Sequence, residues 1–169
     1  FAQEIYVNSL FTISKLPNQN MTDEEFINYK LDWLINNKKD DLITTFLNIN
    51  KNFPNKKKII KYLVDGNISK GNLKEACQNT TLINNDIKDS YLDQFKIICF
   101  IRNNKKNEAQ LILDLLREQK LSNKFFDNKI NYLLGLNNKE DKKIDASNLL
   151  NFYLSSITIS DFNYIPNKK

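Results

Sequence analysis

Residues 87–116 read IKDSYLDQFKIICFIRNNKKNEAQLILDLL, and the fold is decided by how this stretch is parsed. From about Ile87, the side chains Tyr91, Leu92, Phe95, Ile98, Cys99 and Ile101 recur at helical rather than alternating intervals. The polar pair Asn103-Asn104 stops that helix. Ala109, Leu111, Ile112, Leu115 and Leu116 then predict a second apolar helix that packs back on the first.

Working outward, the same alternation of apolar helix and short polar link covers the chain. Ile5, Leu10, Ile13 and Leu16 predict an opening helix that Pro17 ends. Thr22 is a good N-cap, and Glu25 stands three residues on, at capping-box spacing. The helix that follows holds Phe26, Ile27, Leu31, Leu34 and Ile35. Beyond Asn36-Asn37-Lys38-Lys39 the next holds Leu42, Ile43, Phe46 and Leu47, and Phe53-Pro54 closes that unit. A helix with Ile59, Ile60, Leu63 and Val64 is expected to stop at Gly66, and another to start near Asn72 with Leu73 and Ala76. Phe125, Phe126, Ile130, Leu133 and Leu134 lead to Gly135. A last helix is expected from about Ala146 with Leu149, Leu150, Tyr153 and Leu154, followed by an extended tail over 158–169 that contains Pro166.

Turn centres placed near Asn37, Ile68, Asn104 and Asn138 give a period of roughly 34 residues with two helices in each. One helix pair cannot bury its own apolar face, whereas stacked pairs form a continuous core. The expected class is therefore all-α: stacked helix–turn–helix pairs forming a short right-handed α-solenoid over 1–157, with an irregular helical bundle as the alternative. With 3 Gly and 3 Pro in 169 residues, a many-stranded β fold lacks the turn residues it needs. Leu63, Gly66 and Ala76, then Phe100, Asn104 and Ala109, and more loosely Leu134, Gly135 and Ala146, give the chain a form that resembles tetratricopeptide-like repeat proteins. It is also similar to exported bacterial helical-repeat proteins. The resemblance implies a concave surface for a protein or peptide and no catalysis.

The residue types on offer point the same way. The chain has no His, which removes the commonest general base and the Ser–His and Cys–His pairs; two Cys cannot build a Cys-rich zinc site. No glycine-rich phosphate loop is present. Asp23, Glu24 and Glu25 read as helix N-terminal charge, Asp40-Asp41 as turn solvation, and Glu140-Asp141 as surface. Neither an enzyme nor a cofactor or metal site is expected. The expectation is a protein- or peptide-binding module; a structural segment of a longer envelope protein is the reading kept beside it.

A net charge of +5 raises the alternative of an anionic partner, with Lys57, Lys58 and Lys61 along one helix face as the candidate contacts. The charge is nearly all Lys, with Arg only at 102 and 117, as an A/T-rich genome would produce. Arg supplies the bidentate fork for bases and phosphates, so its scarcity argues against nucleic acid. Trp33 is expected in the core. Tyr29 and Tyr132 are the aromatic candidates for a binding surface. No apolar run is long enough for a membrane span.

Cys77 and Cys99 are a possible disulfide. Two helices meeting at a turn near Asn84 would offset them by ~12 Å along the axes, which favours two free thiols. A bond requires Thr80–Lys88 to be a long, folded-back connection. The start without Met and the paired cysteines lean toward export in a bacterium.

Overall fold

A computed structural model describes Ile5, Phe11 and residues 19–49, 56–83 and 89–166. These described residues are all-helical, without a strand. The helices are α1 (Asp23–Asn36), α2 (Asp40–Ile49), α3 (Lys56–Ser69), α4 (Leu73–Asn79), α5 (Ser90–Arg102), α6 (Lys106–Glu118), α7 (Lys124–Leu134) and α8 (Leu149–Thr158), with a 3-10 turn at Thr80–Leu82. Contacts group the chain into two compact units, Phe1–Phe53 and Pro54–Lys169.

In the first unit Ile5 and Phe11 are helical; Leu10, Ile13, Leu16 and Pro17 of the expected opening helix lie outside the described residues, as does Phe53-Pro54. The Thr22 hydroxyl accepts from the Glu25 N–H (3.2 Å) and the Glu25 carboxylate accepts from the Thr22 N–H (2.7 Å), closing the capping box that starts α1. Leu31 and Leu34 of α1 are buried with Ile43 and Leu47 of α2. Trp33 is half-buried, its ring tilted at 5.9 Å from Phe11.

The second unit is organised round α5, whose Leu92, Phe95, Ile97, Ile98 and Cys99 are buried. Helix α5 packs on α4, α6 and α7. Helix α8, last in the chain, packs on both α7 and α3, the first of the unit.

Five helix ends share one backbone device. The residues Lys38, Gly71, Asn104, Lys120 and Gly135 all have positive φ, between 53° and 78°. In each case the N–H of that residue bonds the carbonyl three back, and the next N–H bonds the carbonyl five before it. Lys39 to Leu34 (2.9 Å), Asn72 to Asn67 (2.9 Å), Lys105 to Phe100 (2.8 Å), Leu121 to Leu116 (2.8 Å) and Leu136 to Asn131 (2.9 Å) are the longer links. This is the Schellman pattern, which satisfies carbonyls a helix end would otherwise leave open. The turns of the three hairpins α1–α2, α3–α4 and α5–α6 are evenly spaced, with Lys38, Gly71 and Asn104 each 33 residues after the last. Around them, Leu31, Val64 and Ile97 occupy one buried position, and Ile43, Ala76 and Ala109 another, at the same interval.

Several boundaries differ from expectation for physical reasons. Helix α3 runs through Gly66 to Ser69, because Ile68 is a core residue and the left-handed turn is made by Gly71. Helix α5 starts at Ser90, where the Asp89 carboxylate caps the Leu92 N–H at 3.1 Å. Helix α8 starts at Leu149, capped by Asn148, so Ala146 belongs to a non-helical run over 135–148 rather than to a helix. Leu134, Gly135 and Ala146 therefore do not form a further helix hairpin of this kind.

That run and the tail are held by side chains. The buried Lys129 ammonium donates to the Asp141 carbonyl, and Asn128 donates to the Asp141 carboxylate at 2.9 Å. Burial pushes the Lys129 ammonium below its ordinary range. Glu140 accepts from the Ser160 N–H at 2.8 Å, and Lys142 pairs with Asp161 at 3.1 Å. Phe162 and Tyr164 stand edge-on to Phe152 of α8, at 5.6 and 5.1 Å. Residues 159–164 are thus non-helical and fastened to the rest of the unit.

Cys77 and Cys99 are joined by a disulfide, with Cα atoms 5.5 Å apart. The offset expected between them does not arise because α4 ends at Asn79, only two residues beyond Cys77, while Cys99 lies in the last turn of α5. Both cysteines sit near the C-terminal ends of their helices. Of the connection Thr80–Lys88 that bonding is expected to require, residues 84–88 lie outside the described residues.

Candidate interaction surfaces

The lysine stripe on α3 faces Asp89, the N-cap of α5, and the ring of Tyr91 on that helix. Lys57 is exposed and pairs with Asp89 at 3.4 Å. The Lys61 ammonium lies 4.2 Å from the centre of the Tyr91 ring, a cation–π contact. The Tyr91 phenol donates in turn to the Asp65 carboxylate. Burial raises the Asp65 carboxyl above its usual range against the opposing pull of that hydrogen bond and of Lys61. Tyr91 is pushed up as well, first by burial and then by its bond to Asp65. Lys58 is exposed on the same helix, and Lys56 is buried. The stripe is thus part of a mixed-sign cluster of Lys57, Lys61, Asp65 and Asp89, which presents less net charge to a polyanion than the sequence run implies.

The two tyrosine candidates belong to different units. Tyr29 on α1 is 48% exposed. Tyr132 on α7 is half-buried. Among the described residues no three metal-binding side chains converge, and no helix is long and apolar enough to cross a membrane.

A surface that sequence reading assigns to the core lies on α6. Ala109, Leu113 and Leu116 are buried, but Leu111 and Leu115 are 62% and 44% exposed. At about 100° per residue, Leu111 and Leu115 fall roughly 200° and 240° round the helix from Ala109, nearly opposite the buried stripe. The signal was present: six apolar residues in eight positions, 109–116, exceed what one stripe can absorb. Periodicity alone had merged the two faces.

Charge divides round α6 as well. Arg117 turns toward α7, pairing through Nε with Asp127 at 3.2 Å and through Nη2 with Asn131 at 3.1 Å. Lys106 also reaches α7, donating to the Leu134 carbonyl at 3.3 Å. The outer face keeps Asn107, Glu108, Asp114 and Glu118, all exposed. Asp114 accepts from Gln110 at 2.9 Å and from Arg117 at 3.2 Å. No described residue pairs with Glu108 or Glu118. Two exposed leucines at i, i+4 thus stand between carboxylates on a well-anchored helix.

Compared with known proteins, the chain matches no family model, no curated protein and no solved structure.

Proposed function

We propose that this chain is a non-enzymatic helical-repeat module that binds a protein or peptide. The observation that carries the reading is the outer face of α6, where Leu111 and Leu115 remain solvent-exposed while Leu113 and Leu116 of the same helix are buried. Large apolar side chains held side by side on a rigid helix lose water when a partner covers them, and this gain is what drives association. The even spacing of Lys38, Gly71 and Asn104 supports a tetratricopeptide-like origin for the three hairpins. The return of α8 to α3 favours a closed arrangement of residues 54–169, the bundle alternative. Pairing of Lys57 with Asp89 and stacking of Lys61 on Tyr91 favour a protein over a polyanion. The disulfide supports an exported location, since such bonds persist in oxidising compartments.

A photoreactive amino acid placed at residue 111, with a control at Lys139 on the 135–148 run, tests the reading in cells that make the protein. A discrete protein adduct at 111 and not at 139 is expected. Equal labelling at both positions, or nucleic acid as the only adduct, overturns it.

A further inference from the structure

We infer that the α6 face takes a cationic amphipathic helix, one that presents apolar residues at i, i+4 flanked by Lys or Arg. This rests on the protein-binding reading above and adds the chemistry of the partner. Three observations combine. Leu111 and Leu115 lie one turn apart and form an apolar ridge of the kind that fits a groove on a facing helix. Glu108 and Glu118 close that ridge at its two ends, three residues beyond each leucine, so the pattern Glu-Leu-Leu-Glu spans about 15 Å of axis, or roughly three helical turns. The two cations of α6, Lys106 and Arg117, both reach α7, through Leu134, Asp127 and Asn131, and Arg117 also pairs with Asp114, whereas Glu108 and Glu118 keep no described partner.

The result is an acidic, apolar strip on a chain whose net charge is +5, so the sign is a local property and not an average one. A partner with positive flanks is steered to it and gains charge-assisted contacts at the rim, while an anionic helix is repelled. A second copy of this chain is disfavoured by the same rule. Two-fold pairing of α6 with itself sets Glu108 of one protomer against Glu118 of the other, like against like.

The test uses the full disulfide-bonded chain and two synthetic probes, an amphipathic helix of Leu and Lys and its counterpart with every Lys replaced by Glu. Binding is read by fluorescence anisotropy at low and physiological salt. The Leu/Lys helix is expected to bind and the Leu/Glu helix not. Leu111→Ser with Leu115→Ser should weaken binding by about tenfold or more. Glu108→Lys with Glu118→Lys should invert the preference between the probes. All four substituted positions are exposed, and unchanged circular dichroism and urea midpoints confirm that the variants fold.

Equal affinity for both probes, abolished by the leucine substitutions, overturns the cationic assignment and leaves the protein-binding reading standing. Binding indifferent to Leu111 and Leu115 removes the face itself, as does the absence of binding by either probe. Dimerisation of the chain that the leucine substitutions abolish would replace the inferred partner with a second copy.

Discussion

The phenol of Tyr91 on α5 donates to the Asp65 carboxylate on α3. One oxygen therefore ties the first helix of the 54–169 unit to its central helix. Tyr91→Phe keeps the ring and its contact with Lys61 but leaves a half-buried carboxylate without its donor. The expected loss is about 2 kcal/mol, read as a lower urea midpoint. Because the cost resides in Asp65, Tyr91→Phe in an Asp65→Asn background should cost less, and a double-mutant cycle measures the difference.

The Cys77–Cys99 bond closes a loop of 22 residues. Reduction, or Cys77→Ser with Cys99→Ser, is expected to lower unfolding free energy by about 3 kcal/mol in the chain-entropy account. Urea unfolding with and without reductant checks the size. Thiol alkylation followed by mass measurement, before and after reduction, checks that the bond is present in the native protein.

The left-handed helix ends predict a pattern of opposite signs. Gly71 and Gly135 have open space where a Cβ would sit, so Gly→Ala there costs only the backbone penalty, about 1–2 kcal/mol. Lys38, Asn104 and Lys120 already bear that strain. Each change to Gly should therefore stabilise, by up to about 1 kcal/mol and least for Asn104. Thermal midpoints of the five single variants give the test, and a uniform sign across them would contradict the turn assignment.

Acid should loosen the 135–148 run. The Asn128 side chain holds the Asp141 carboxyl below its ordinary range, helped by the Lys143 N–H and the Lys129 charge. Ser147 does the same for Asp145. A carboxylate whose folded pKa is depressed adds stability above the unfolded value, about 4, and that contribution is lost as pH falls through the folded pKa. Stability should therefore decline below about pH 4, and Asp141→Asn should flatten the decline. Urea midpoints between pH 6 and pH 3 compare the slopes.

Much of the fold is legible in the residues because it depends on local chemistry. The Thr22–Glu25 capping box and the polar links at Asn37 and Asn104 follow from groups a few positions apart. What fails depends on tertiary contact. Gly66 is carried through a helix because Ile68 must reach the core, a demand that outweighs glycine's poor propensity. Leu111 and Leu115 share the leucine-rich run of α6 with Leu113 and Leu116, and only packing on α5 and α7 decides which pair is covered. Likewise Lys57 and Lys61 read as a basic patch until α5 brings Asp89 and Tyr91 beside them. The two cysteines are easily misjudged for the same reason: their distance depends on where α4 ends, and a few residues of helix change the axial offset by a full turn or more.

The bond from Cys77 to Cys99 also has a mechanical side. A pull transmitted along the polypeptide crosses from α4 to α5 through the two sulfurs, so the peptide bonds between positions 77 and 99 carry none of the tension. About 75 Å of contour is thereby withheld from stretching until the link is reduced. Under load the oxidised chain is the shorter tether, and reducing conditions lengthen it without a single residue being cut.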